Sequence, residues 1–198
     1  MKVIILDIDG VLNYAKSKSR LEIDGIGYLG IDSDKMNNLA SLVILSEAKI
    51  VLSSSWREHY DINKGYHQTD KCGKYLARRL RKHGLKVYDK IGSNYSWRDR
   101  GHQIKEWLDE HPEVTDYVIL DDEIFLDYYE LGLINHVVKT IYNTDEARFA
   151  GLTSYLAGCA FRILYGAEFN GPVLDEDFVE AWTCNGKCPI DKYDLLRI

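Results

Sequence analysis

The stretch Val3-Ile4-Ile5-Leu6-Asp7-Ile8-Asp9-Gly10-Val11-Leu12 constrains this chain most, because an unbroken apolar run ends in two carboxylates and a glycine. A parallel strand covered on both faces is written almost wholly in Val, Ile and Leu, and four such residues precede Asp7. Such a strand delivers Asp7 and Asp9 to its carboxyl end, the side on which open α/β sheets bind ligands. Gly10 permits a tight turn or a close backbone approach at that tip. Alone, D-x-D-G is also compatible with an ordinary acidic turn leaving the core, and the later parts of the chain decide between the two.

Residues 13 to 32 are polar and carry Gly25, Gly27 and Gly30, which fits a long loop or small hairpin over the strand tip. From Asp32 the residues Met36, Leu39, Leu42, Val43 and Leu45 follow a helical spacing, the crossover helix of a βαβ unit. Lys49-Ile50-Val51-Leu52 reads as a second short buried strand and ends in Ser53-Ser54-Ser55-Trp56-Arg57. Residues 58 to 97 carry many Tyr, Lys, His and Gly, with a helix expected at 70 to 83 whose polar face holds Lys71, Lys74, Arg78, Arg79, Arg81 and Lys82. That face reads either as solvated surface or as a surface that meets an anionic macromolecule. Arg98-Asp99-Arg100-Gly101 opens a helix with Ile104, Trp107 and Leu108 at core spacing, ending near His111-Pro112. Tyr117-Val118-Ile119-Leu120 is a third buried strand and ends in Asp121-Asp122; beyond it 124 to 131 read as helix, 137 to 140 as extended and 144 to 164 as helix. This alternation predicts an α/β fold, a doubly wound, Rossmann-like, mostly parallel sheet with helices on both faces. The expected organisation is a single domain over 1-198 with small lid inserts at about 13-32 and 58-97, and 165-198 has no clear period.

At 198 residues the chain holds one well-filled core. Its net charge of -6 argues against a general nucleic-acid-coating surface, although a local basic patch suffices to grip an anion. The absence of a leader peptide or a membrane-length apolar run sets the expectation of a cytoplasmic protein. Cys72, Cys159, Cys184 and Cys188 are too scattered for a disulfide scaffold, and Cys184-x-x-x-Cys188 lacks a partner pair for zinc. The Asn94-Tyr95-Ser96 sequon is discounted for want of a leader.

Strand tips carrying D-x-D, Ser-Ser-Ser and Asp-Asp, with a basic residue at a helix start between the last two, converge on one sheet edge and suit phosphoryl transfer. Clustered carboxylates repel one another, and Mg²⁺ relieves the repulsion while accepting a phosphate oxygen. An Asp is a sound nucleophile for phosphorus because its acyl phosphate is readily hydrolysed, and a second carboxyl two residues on can protonate the leaving oxygen. Serine hydroxyls, amides and an Arg neutralise the remaining phosphate oxygens.

The ordered set D-x-D-G, strand-end Ser, basic residue and Asp-Asp, spanning residues 3 to about 140, resembles the haloacid dehalogenase (HAD) superfamily of phosphatases. Leu-Ser-Ser-Ser-Trp-Arg, Arg-Gly-x-x-Ile-x-x-Trp-Leu and Val-Ile-Leu-Asp-Asp look like the branch that includes HAD domains of RNA-repair proteins. The resemblance implies Asp7 as nucleophile and Asp9 as general acid and base, with the Asp9 carbonyl also on Mg²⁺. It implies Ser53, with Ser54 as understudy, and Arg100 as phosphate-binding residues, Arg standing where the family usually has Lys, with Arg98 and Lys105 as rivals. Asp122 becomes the direct metal ligand and Asp121 its neighbour, so the metal set is Asp7, Asp9, Asp122 and Asp121.

Trp56, Arg57, Tyr14 and Tyr28 lie in or beside strand-tip loops and are the candidates for substrate contact. The expected activity is Mg²⁺-dependent phosphomonoester hydrolysis through an aspartyl phosphate. Modest inserts leave an open site, which suits an exposed phosphate on a macromolecule: a phosphoprotein, particularly phosphotyrosine, or else a nucleotide or a polynucleotide end. A receiver-like signalling module has its adjacent acidic pair after the first strand, the reverse of the order here, and a catalytically silent phospho-binding domain has no need of intact Asp7, Asp9 and Asp122.

Overall fold

The computed structural model describes residues 1–92 and 99–175. Five parallel strands form the sheet, in the order β5-β4-β1-β6-β7. They are β1 (Lys2–Leu6), β4 (Lys49–Leu52), β5 (Val87–Lys90), β6 (Asp116–Asp121) and β7 (Val137–Lys139). Strands β2 (Arg20–Ile23) and β3 (Ile26–Leu29) pair as a separate antiparallel hairpin. The helices are α1 (Ser33–Ser46), α2 (Lys71–Lys82), α3 (Arg100–Glu110), α4 (Leu126–Glu130) and α5 (Ser154–Leu164).

Side-chain alternation along each strand divides the core in two. Ile4, Leu6, Ile50, Leu52, Val118 and Leu120 pack with apolar residues of α1, α2 and α5. Val3, Ile5, Val51, Ile119 and Val137 pack with Ile104 and Trp107 of α3 and Tyr128 of α4. Both sheet faces are therefore covered, which is why the strands read as near-continuous Val, Ile and Leu. β1 is central: the chain moves outward from it through β4 and β5, then returns to its other side for β6 and β7. The order reverses at β1, and the crevice at such a switch point is where this kind of sheet binds ligands.

Two segments differ from the sequence expectation. Residues 71–90, read as part of an insert, supply α2 and the edge strand β5 of the main sheet. Of the β5 residues only Val87 is buried, so this edge carries too little apolar pattern to read as a strand. The helix expected from 144 starts only at Ser154, with the Thr153 side chain accepting from the Leu156 N–H at 3.2 Å. Gly151, at φ +57°, donates to the Ile141 carbonyl, Leu152 donates to that of Val11, and a Cβ on Gly151 would lie 2.7 Å from the Val11 oxygen. The segment before α5 is thus tied by its backbone to the loop after β1, and the apolar side chains of Phe149, Ala150 and Leu152 are buried without a helix.

Val173 pairs with Val138 in parallel fashion, so part of the segment after α5 docks on the β7 edge. Arg98, the sequon at 94–96, Cys184 and Cys188 lie outside the described residues, while Cys72 and Cys159 are free thiols. Among the described residues no helix is long and apolar enough to cross a membrane.

Candidate active site

Three strand ends are stitched together where the apolar runs stop. The Asp7 N–H donates to the Leu120 carbonyl of β6 at 2.9 Å, and the Ser53 N–H donates to the Leu6 carbonyl of β1 at 3.0 Å. This places Asp7, Ser53 and the Asp121-Asp122 pair at neighbouring tips. The backbone then turns at Gly10, with φ +78°, where a Cβ would lie 2.2 Å from the Asp122 Cγ. Only glycine meets both demands there, the positive φ and the close carboxylate. Thr140, just past β7, donates from Oγ1 to the Gly10 carbonyl at 2.8 Å and fixes the turn from the other side.

Arg100, at the first turn of α3, reaches back into this cluster. Its guanidinium donates to Asp7 Oδ1 at 3.1 Å, to Ser53 Oγ at 3.4 Å and to Asp121 Oδ2 at 3.5 Å. The start of α3 is held by Asp127 of α4, whose carboxylate accepts the His102 N–H at 3.0 Å. A Cβ on Gly101 would meet the Asp127 carboxylate at 2.7 Å, so the Arg-Gly pair allows α3 to approach α4 closely enough for Arg100 to point at Asp7.

Asp7, Asp121 and Asp122 each offer a carboxylate oxygen within 4.8 Å of the others. Burial and the Asp121 charge push the Asp7 proton affinity up, against the pull of Arg100. Burial likewise raises Asp121, opposed by Arg100, while burial and the Asp7 charge push Asp122 up to about 7, opposed by Lys139. Arg100 holds its proton more tightly than usual, because Asp121 and Asp7 outweigh the loss of solvation. Two cations face three carboxylates, and an oxygen-only set of this kind suits a hard divalent cation. The residues present therefore fit a metal site.

The Asp9 carboxylate stands apart from that set. Asn13 Nδ2 donates to its Oδ1 at 2.8 Å and Trp56 Nε1 to its Oδ2 at 2.9 Å. Asn13 is itself fixed, accepting the Gly10 N–H at 2.9 Å. One carboxylate of the D-x-D pair thus joins the acidic cluster and the other is held separately, a difference in environment that suits different roles.

Residues 3–145 match the family described as the HAD domain in Swiss Army Knife RNA repair proteins. The chain belongs to that family. No curated protein and no solved structure matches it. Family membership supports a hydrolase of the phosphatase kind, and the buried acidic cluster agrees with the metal use typical of HAD domains.

In this HAD domain Asp7, Ser53, Arg100, Asp121 and Asp122 come together. Lys105 pairs with Asp109 on the exposed side of α3. Ser54 is buried at the start of a short 3₁₀ turn, Ser55–His59. Arg57, expected near substrate, is instead buried behind Ser53, donating to its carbonyl and, at 3.1 Å, to Gln103 Oε1. Trp56 is only 7% exposed and packs on Tyr75 with ring centroids 6.1 Å apart. Tyr14 is half-buried in the loop after β1, and Tyr28 is exposed on the hairpin. Sequence reasoning missed Asn13, Tyr128, Asp127 and Lys139. Tyr128 donates to Asp121 Oδ2 at 3.2 Å, and buried Lys139 donates to the Asp122 carbonyl at 2.9 Å. A lysine in the apolar run Val137-Val138-Lys139 was the one available signal.

Proposed function

We propose that this protein is a Mg²⁺-dependent phosphomonoesterase that works through an aspartyl phosphate on Asp7. The observation that carries the reading is Arg100, which touches both Asp7 and Ser53 beside the acidic cluster. An Asp7 oxygen attacks phosphorus as the bond to the leaving oxygen breaks, and Asp9 gives that oxygen a proton. Ser53 and Arg100 hold the phosphoryl oxygens and neutralise their charge. Asp7 and Asp122, with the Asp9 carbonyl and with Asp121 beside them, would hold a Mg²⁺, which would supply further neutralisation of charge between carboxylates and phosphate. Asp9, now ionised, takes a proton from water as that water attacks the acyl phosphate, releasing inorganic phosphate and free Asp7.

For the substrate we favour a phosphorylated polynucleotide end over a phosphoprotein. The family is described by RNA repair, and Trp56, which with the insert tyrosines was a candidate to seat a phosphotyrosine ring, is buried with its N–H on Asp9. The test is phosphate release from 3′- and 5′-phosphorylated oligonucleotides, nucleotides and phosphopeptides, with Asp7→Asn as control. The expected result is turnover of an oligonucleotide end that Asp7→Asn abolishes without loss of fold. Preferred release from phosphotyrosine peptides overturns the substrate reading, and near wild-type turnover by Asp7→Asn overturns the mechanism.

A further inference from the structure

A second positively charged feature lies outside the catalytic cluster. Ser19, Arg20, Tyr75, Arg78, Arg79 and Lys82 line a cleft of about 480 Å³ where the hairpin approaches α2. Among the described residues the lining holds four cations and no carboxylate, in a chain whose net charge is -6. A solvated helix face scatters its charges on free side chains, whereas these are largely fixed. Arg20 donates to the carbonyls of Ser17 and Ser19, Arg79 donates to Ser33 Oγ at 3.0 Å, and the Arg78 guanidinium sits 5.6 Å from the centre of the Tyr75 ring. Arg79 Nε is buried with no hydrogen-bond partner among the described residues. Lys71, on the same helix, is by contrast paired with Asp24 and lies outside the cleft.

The cleft shares a wall with the catalytic tip. Tyr75 packs on Trp56, and Trp56 donates to Asp9. The loop that leaves the D-x-D-G turn runs through Asn13 and Ser17 directly into Arg20. The buried Tyr75–Trp56 pair thus links the cleft to the catalytic tip, so a chain with one phosphate at Asp7 has a set of cations beside that tip for its further phosphates. We infer that the Arg20–Arg78–Arg79–Lys82 cleft binds the phosphodiester backbone of a single-stranded polynucleotide whose terminal phosphate lies at Asp7, an inference that rests on the polynucleotide reading above. A cationic groove that tracks the backbone is a general means of holding single strands. Charges fixed beforehand lose less freedom on binding than mobile ones.

The experiment measures binding apart from turnover. Fluorescence anisotropy follows the full chain carrying Asp7→Asn as it binds phosphorylated RNA single strands of 1, 4, 8 and 12 nucleotides across a salt series. Affinity is expected to rise with length. R78Q/K82Q, both exposed positions, is expected to lower affinity for the longest strand by ten-fold or more and to flatten the salt dependence by ~1.4 in log–log slope, ~0.7 for each phosphate no longer neutralised. The charge-keeping R78K/K82R retains affinity and slope, which separates loss of charge from loss of fold. In the Asp7-intact chain, R78Q/K82Q should leave hydrolysis of p-nitrophenyl phosphate unchanged. Absence of length dependence, or its survival in R78Q/K82Q, overturns the cleft assignment. Equal binding of acidic phosphopeptides, lost in the same variant, overturns the polynucleotide in favour of a protein ligand. If the Asp7-intact chain releases no phosphate from any substrate while strand binding behaves as expected, the phosphatase reading fails and the cleft stands.

Discussion

Replacing Trp56 with Phe tests whether the indole serves Asp9 or merely fills space. The substitution keeps an aromatic ring against Tyr75 and removes the N–H that donates to Asp9 Oδ2 at 2.9 Å. A hydrogen bond to a charged group contributes ~1.5–3 kcal/mol. Asn13 still holds Oδ1, so the lower end applies, and ~1.5 kcal/mol corresponds to about a ten-fold loss in stabilisation of the carboxylate that forms as Asp9 gives up its proton. That loss reaches the rate only where the leaving group needs a proton. An alkyl phosphate should therefore lose about ten-fold in the first step, and p-nitrophenyl phosphate, whose phenolate departs unaided, much less. Rapid-quench measurement of phosphoenzyme formation with both substrates reads the difference. Asp9→Asn should impose a larger loss of the same kind, ~10²–10⁴-fold on the alkyl substrate. In the Asp9→Asn background Trp56→Phe should then cost little, because the group it orients is gone. Equal losses on the two substrates, or full additivity with Asp9→Asn, would refute the reasoning and leave Trp56 as packing alone.

Other outcomes follow from the acidic cluster. Chelation should stop turnover, with Mg²⁺ restoring it and Zn²⁺ doing so poorly, since the donors are all oxygen; full activity in chelator would assign the carboxylates another purpose. Gly10→Ala should cost ~1–2 kcal/mol in backbone strain and, by pushing Asp122 away, weaken Mg²⁺ binding, read as a smaller rise in Tm on adding Mg²⁺. For the metal-free protein, Asp7, Asp121 and Asp122 all hold protons more tightly folded than unfolded, Asp122 up to about 7. The folded state then binds the extra protons between the ordinary carboxylate range and about pH 7, so stability falls as pH rises through that window and levels off above it. Thermal melts in chelator should give a higher Tm at pH 5.5 than at pH 7.5, and saturating Mg²⁺, which binds the ionised form, should reverse the order.

What the sequence conveyed of the fold tracks how strongly burial acts on each element. β1, β4 and β6 are inner strands covered on both faces, so nearly every position is apolar and the strands stand out. β5 is an edge with Tyr88 exposed, and no apolar pattern marks it. Before α5, backbone hydrogen bonds to Val11 and Ile141 prevail over a helical apolar spacing, a tertiary effect that spacing alone does not record. The acidic and serine residues of the site were readable because each follows directly on a strand. Asp127 was not, because its partner on α3 is brought near only by folding; Asn13 and Tyr128 were not, because their bonds to Asp9 and Asp121 are set by local turn and helix geometry that no residue pattern records. Arg57 shows what spacing alone does not record: an Arg beside a strand-tip serine suggests a ligand contact, and in the fold it is buried and bonded to the Ser53 carbonyl and to Gln103.

Contacts both distant and local in sequence explain how so acidic a tip survives burial. Three carboxylates within 4.8 Å would cost several kcal/mol if each were ionised and alone. Arg100 reaches two of them, Tyr128 gives Asp121 a further donor, and the Glu123 N–H donates to Asp121 Oδ1 at 3.0 Å. Asp121 is therefore the best satisfied of the three, with protein donors on both of its oxygens. Asp122 has Lys139 on its carbonyl, not on its carboxylate, and its side chain rests against Gly10. Asp7 shares Arg100 with Ser53 and Asp121. The unmet negative charge thus concentrates on Asp7 and Asp122. Asp7 and Asp122 keep the charge that a bound cation would neutralise, while Asp121 holds Arg100 beside Asp7.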